Sequence, residues 1–288
     1  MANAEAHRPA SRARRISLAI FLAIAVLVIV GVGRRRYIEG KAREQLALGV
    51  PTFRSLRYSE AESHFREAVR LNPAFTTARL YLALTYLEEG SPRNVQKLHA
   101  ARDQFEEVLK ADPGNPVALE CLGQILYSEA QGIEDLDRKI AKLDEAQRVF
   151  ERLAGTVPRF AFYEGGAIAW AKSHAVLTVA RSNSGMKPDA PGPIKDNVAR
   201  EVLRAKYGEM INAGIRSLHH ALDLDPRYDD AMDYLNRLYR ERADLAATPG
   251  EYRSDISQSD FWKKKTLDTR KQKAEVMTDV TPASPGSR

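Results

Sequence analysis

AESHFREAVRLNP (61–73), ARDQFEEVLKADP (101–113), AQRVFERLAGTVP (146–158) and GIRSLHHALDLDP (214–226) are four copies of one pattern. Each opens on a small residue and carries a large apolar residue four positions later. A small or apolar residue follows after three more, and a proline five beyond that: Ala61, Phe65, Ala68, Pro73; Ala101, Phe105, Val108, Pro113; Ala146, Phe150, Leu153, Pro158; Gly214, Leu218, Ala221, Pro226. Offsets of four and three place the first three residues on one helical face. The small residues let a neighbouring helix approach closely. Asn72, Asp112 and Asp225 precede the proline, and a residue in that place is pushed out of the helical region, so each helix ends there and the chain turns. Val157 in the third copy is the departure.

A second pattern lies outside the first. Leu48-Gly49 precedes the first copy, and each proline is followed by a similar pair: Leu82-Ala83 before Tyr86, Leu122-Gly123 before Leu126 and Tyr127, and Leu235-Asn236 before Tyr239. Ala167-Ile168 takes these places in the fourth unit. Together the two patterns resemble the tetratricopeptide repeat, a helix-turn-helix unit of about 34 residues. The prolines lie 40, 45 and 68 residues apart, so the resemblance requires insertions near 91–96, 131–141 and 181–209, each between the two helices of one repeat. The implied fold is all-α: a tetratricopeptide-like solenoid of antiparallel helix pairs over 39–246, preceded by one transmembrane helix. The segments GMKPDAPGPIKD (Gly185–Asp196) and DPRYDDAMDYLNRLYRERADLA (Asp225–Ala246) resemble more narrowly a bacterial group of membrane-anchored tetratricopeptide proteins. That likeness implies a recurrent architecture and no ligand or reaction.

The transmembrane expectation rests on ISLAIFLAIAVLVIVGVG, Ile16–Gly33, eighteen residues without a charge. As a helix it covers roughly 27 Å, close to the hydrocarbon thickness of a bilayer. A cleaved signal peptide is the competing reading, but Arg34-Arg35-Arg36 directly after the segment opposes cleavage and translocation. Arg14-Arg15 gives only a poor match to a twin-arginine signal. The short basic tail 1–15 favours a periplasmic body on a bacterial inner membrane, whereas the arginine triplet argues for the cytoplasmic side. Residues 1–43 hold nine Lys/Arg against Glu5 and Glu39, while the remainder has 35 basic and 36 acidic residues. The excess charge therefore flanks the apolar segment, and no nucleic-acid partner is expected. Cys121 is the one cysteine, which excludes an intrachain disulfide; it reads as a small core residue. Pro249-Gly250 breaks the chain, 251–277 reads as a basic C-terminal helix with Phe261 and Trp262 packing on the stack, and 278–288 as a disordered tail.

Catalytic, metal and cofactor sites are not expected. His219 and His220 are neighbours and point about 100° apart on a helix; one fits an interface and the other solvent. His64, His99 and His174 are isolated in sequence. Gly165-Gly166 follows no strand and lacks the lysine-serine partner of a phosphate loop. Asp229, Asp230 and Asp233 suit a helix N-terminus, and Lys263-Lys264-Lys265 a solvated face.

The expected function is that of a membrane-held scaffold that binds a peptide or partner protein. Stacked helix pairs create an extended concave surface. The resemblance assigns positions 2, 5, 9 and 12 of each first helix to that surface. These are Arg43, Leu46, Val50 and Phe53; Thr77, Leu80, Leu84 and Leu87; Val117, Glu120, Gln124 and Tyr127; Phe162, Gly165, Ala169 and Lys172; and Asp230, Asp233, Arg237 and Arg240. Leu46, Val50, Leu80, Leu84, Leu87, Gln124, Tyr127 and Lys172 are the candidate binding residues. Ala47 and Tyr81 occupy the places of the asparagines that some relatives use to grip a carboxylate, so such a clamp is not expected. The alternatives are a groove filled from within by the Lys187–Pro193 insert or the membrane stub, a self-assembling homo-oligomeric envelope component, and an accessory subunit of an enzyme. For an enzyme, Lys187, Asp189, Lys195 and Asp196 are the only dense polar candidates.

Overall fold

The computed structural model describes residues 10–280 apart from 92, 93, 188, 189 and 191, and the side chains of residues 17 and 21–276 within that range. The side chains of the N-terminal tail 1–15, of Ile16 and residues 18–20 in the expected span, and of the C-terminal tail 278–288 lie outside it. The regular elements described are ten α-helices: α1 Ala10–Arg54, α2 Tyr58–Leu71, α3 Thr76–Glu89, α4 Val95–Ala111, α5 Pro116–Gln131, α6 Leu136–Glu151, α7 Pro158–Asn183, α8 Asn197–Leu224, α9 Asp229–Asp244 and α10 Pro249–Val280. They fall into two compact units, residues 1–112 and 113–288. In the first, α1 packs on α2, α2 on α3 and α3 on α4. In the second, each helix from α5 to α9 packs on the next, and α7 also touches α9.

The repeat pattern builds both cores. Phe65, Phe105, Phe150 and Leu218 are fully buried, as are Ala61, Ala68, Ala101, Val108, Ala146, Leu153 and Ala221. The small residue of each first helix receives the large residue of its partner. A Cβ on Gly123 would stand 2.4 Å from the Phe150 ring, and one on Gly49 2.5 Å from the Phe65 ring. Only a residue without a side chain permits that approach.

The helix ends follow from the prolines. Asn72, Asp112 and Asp225 are extended, with φ of −135°, −133° and −144°, and their amides cap the carbonyls of Ala68, Val108 and Ala221. Asn115 and Asp135 each accept an amide of the helix they open, from Ala118 and Arg138.

Three boundaries are decided by contacts that the sequence pattern does not show. α1 runs unbroken through Arg34–Tyr37, where the Arg35–Glu39 ion pair at 2.9 Å lies one turn apart and supports the helix. The largest insertion lengthens α7 and α8, and residues 184–196 connect them. Arg181 holds that connector to the molecule: it donates to Asp244 and to the Ala190 and Gly192 carbonyls, while Gly192 N donates to the Tyr252 hydroxyl at 2.9 Å. Finally, Pro249-Gly250 opens α10 rather than breaking the chain. On α10, Trp262 is buried but Phe261 stays exposed, because adjacent helical residues face different ways.

Among the described residues no helix is long and apolar enough to cross a membrane. The described part of the expected span, from Phe21 to Val32, nevertheless exposes Phe21, Leu22, Ile24, Val26, Leu27, Val28, Ile29, Val30 and Val32.

Candidate functional site: the inner face of the helix pairs

In the first unit, α1 brings Leu46 and Val50, and α3 brings Leu80, Leu84 and Leu87; all five are half-buried. Beside them Tyr81 stacks on Phe65, with ring centroids 5.3 Å apart, and meets Phe53 edge-on at 5.9 Å. On α4, Lys97 bridges Glu62 at 2.5 Å and Glu89 at 2.7 Å and stands 4.8 Å from the Tyr86 ring. Three helices are thus fixed by one ammonium.

In the second unit the site differs from its sequence reading. A Cβ on Gly166 would lie 2.3 Å from Leu218, so Gly166 is the small residue of this repeat, equivalent to Gly49 and Gly123. The sequence reading had placed Ile168 there, two residues late. The corrected positions are Phe160, Tyr163, Ala167 and Trp170. Phe162, Gly165, Ala169 and Lys172 instead face the partner helices. The Phe162 carbonyl accepts from Ser217 at 2.7 Å. Phe162, Gly165 and Ala169 line a cleft of about 290 Å³ against α6 and α8. Lys172 is buried and donates to Asp144 at 2.5 Å and Gln147 at 2.6 Å on α6. Lys172 is therefore a strut between helices and not a groove residue. Gly165 next to Gly166 hid the register, because the leucine that opens this pair in the other repeats is here a glycine.

With the register corrected, an aromatic cluster appears. Tyr163 lies 4.9 Å from Tyr228 and 5.6 Å from Tyr234, and Trp170 5.6 Å from Tyr234. Tyr127 on α5 hydrogen-bonds Tyr234 on α9, and burial raises its hydroxyl well above the usual tyrosine range. Arg237 lies over the Trp170 ring at 4.9 Å. Gln124 is exposed and Cys121 half-buried, so the cysteine is not the core residue expected. Beneath the tyrosines, Glu164 is buried, and its carboxyl is pushed up to about 7, first by desolvation and then by the Glu120 charge. Neither Tyr163 nor Glu164 was singled out from sequence.

The remaining polar residues make ion pairs. His174 is not isolated: its Nδ1 lies 2.8 Å from Glu241, which raises the imidazole pKa. His219 meets Trp262 at 5.4 Å while His220 is exposed. Asp229 and Asp230 open α9 and bind Arg270 of α10 at 2.8 and 3.1 Å. Among the described residues no three His, Cys, Asp or Glu converge as metal ligands would.

A tetratricopeptide repeat sequence profile matches residues 52–92, which contain the first complete pattern and the helix after it. Residues 52–92 therefore carry a tetratricopeptide repeat. Its fold matches solved structures of the same build. The MamA protein of Desulfovibrio magneticus RS-1, from residue 41 to its end, superposes with a TM-score of 0.51 at 16% identity, over 81% of this chain and 96% of that one. Another MamA crystal structure matches at 0.51 and 10% identity, over 86% and 98%. At such identity the likeness is one of fold. A search of curated protein sequences finds no match. The chain thus shares its helix-pair architecture with these structures.

Proposed function

We propose that this repeat protein is a membrane-anchored scaffold that binds a partner polypeptide on the inner faces of its helix pairs. The observation that carries the binding reading is chemical. Leu46, Val50, Leu80, Leu84 and Leu87 sit half-buried at positions whose neighbours on the outer helices, such as Arg66 and Arg70, are charged and solvated. Apolar side chains left in part to solvent across two helices mark an interaction surface, and an apolar helix or extended peptide suits them. Within the second unit, the described part of the Lys187–Pro193 insert is held by Arg181, which donates to the Ala190 and Gly192 carbonyls, and by Tyr252, whose hydroxyl accepts from Gly192 N.

The anchoring reading rests on the uncharged run Ile16–Gly33, the arginine triplet after it and the exposed apolar side chains from Phe21 to Val32. With α1 unbroken, the first repeat stands directly on the anchor, its body on the periplasmic side of a bacterial inner membrane. N-terminal sequencing of protein from carbonate-washed membranes tests this: the chain retains residues before Ile16. A mature chain starting near Arg34 contradicts it. For the binding reading, Leu80→Asp with Leu84→Asp abolishes crosslinked partner recovery from intact membranes while helicity is unchanged. Undiminished recovery of every partner by the folded variant contradicts it.

A further inference from the structure

Three acidic residues of the second unit are buried: Glu164, Glu241 and Asp255. Glu241 has His174 at 2.8 Å, and Asp255 has Arg242 at 2.6 Å. Glu164, about nine-tenths buried, has no hydrogen bond or ion pair among the described residues. A buried charge without a counter-ion is costly, so folds supply a partner or leave the group to neutralise. The nearby cations are engaged elsewhere. Arg237 stacks on Trp170 and Tyr234 and pairs with Asp233 at 2.7 Å; Arg159 lies over Tyr228 and pairs with Asp225 at 2.8 Å.

What surrounds Glu164 is chemistry that favours a cation. Glu120 on α5 supplies a second carboxylate close enough to act on it. Tyr127, Tyr163 and Tyr228 come from α5, from α7 and from the start of α9, and each is half-buried near the same carboxyl. Tyrosine faces attract ammonium and guanidinium groups, and a planar guanidinium or a compact ammonium can serve two carboxylates at once.

We propose that Glu120 and Glu164, walled by these tyrosines, receive one lysine or arginine side chain of the partner polypeptide. This rests on the reading of the inner face as a protein-binding surface and names the chemistry it selects within the second unit. Within the second unit the acidic pair fixes which residue of a partner docks: a basic one. An arriving cation replaces the missing counter-ion and ionises Glu164, its proton leaving to solvent.

The test uses the full-length chain in nonionic detergent and fluorescein-labelled, acetylated alanine nonapeptides with a single central lysine, arginine, norleucine or glutamate. Fluorescence anisotropy is expected to give at least tenfold tighter binding of the lysine or arginine peptide than of the norleucine peptide. Glu164→Gln with Glu120→Gln erases that preference, with helicity unchanged by circular dichroism; Glu120→Gln alone weakens it and serves if the double variant unfolds. Equal affinity for all peptides, no binding by any, or a basic preference that survives both substitutions in folded protein overturns the assignment. The leucine pair separates the two readings. If Leu80→Asp with Leu84→Asp loses the partner while the peptides show no basic preference, only this assignment fails. If the peptides show the preference and the leucine variant keeps every partner, only the apolar-surface reading fails.

Discussion

Glu164 is the residue whose protonation sets a measurable property of the fold. Its carboxyl is raised from 4.5 to about 7, so the folded chain binds that proton more tightly than the unfolded one. Stability from this group is full below about pH 4.5 and is lost as pH rises towards about 7. Near it are Glu120 and Tyr127 on α5, Tyr163 on α7, and Tyr228 at the start of α9. The tyrosines are held neutral across this range, which leaves Glu120 as the charge that opposes ionisation. Glu164→Gln should therefore stabilise the protein at pH 8 relative to the parent, by roughly 3 kcal/mol at most, and leave it little changed at pH 4. Denaturant midpoints at the two values check this; an unchanged difference between them would mean that Glu164 is solvated. Asp244, raised to about 6 by burial, acts in the same direction, so the substitution flattens the profile without removing it. Nothing in the sequence marked Glu164. A lone glutamate in FYEGGA reads as solvated until the register places it inward, and the register was obscured by the Gly-Gly pair. Phe65, Phe105 and Phe150 were legible, because an aromatic residue at one fixed offset in three copies has no other reading than core. Phe105→Ala should cost about 3–5 kcal/mol, as truncation of a fully buried aromatic does. An unchanged melting temperature would contradict the packing.

At the scale of the element, helix ends were readable wherever a proline follows Asn or Asp, since the residue before proline is excluded from the helical region whatever surrounds it. Insertions were not readable as structure. The segment 181–209 carries three prolines and two glycines in its first half and a helix-forming second half, and only tertiary contacts decide how far α7 and α8 extend. Arg181 supplies them: its guanidinium joins the insert carbonyls to Asp244 from within α7, and Ile194 is fully buried in the core of the second unit. Arg181→Met leaves Asp244 buried without its partner, a change that typically costs 3–5 kcal/mol. It should expose 187–193 to limited proteolysis in otherwise folded protein. Resistance equal to that of the parent would show that the apolar contacts of Ile194 alone hold the insert. The sequence left open whether the helix continues or breaks at Arg34–Tyr37; it continues, since charges alone do not end a helix when they pair one turn apart, as Arg35 and Glu39 do at 2.9 Å.

At the scale of the molecule, the chain uses each helix pair twice. Small residues and aromatics lock the pair together, and what remains on the first helices is the proposed binding surface. The two units differ in what they leave there: aliphatic side chains on α1 and α3, tyrosines with two carboxylates on α5, α7 and α9. The proposed partner is accordingly a polypeptide with an apolar face and a basic residue. The most direct test of the binding surface is site-specific photocrosslinking in intact membranes, with a benzophenone side chain placed at Leu84 on α3 or at Arg70 on α2. The account predicts a discrete adduct of higher mass from Leu84 and none from Arg70. Adducts from Arg70 alone, or equal adducts from both, would contradict it.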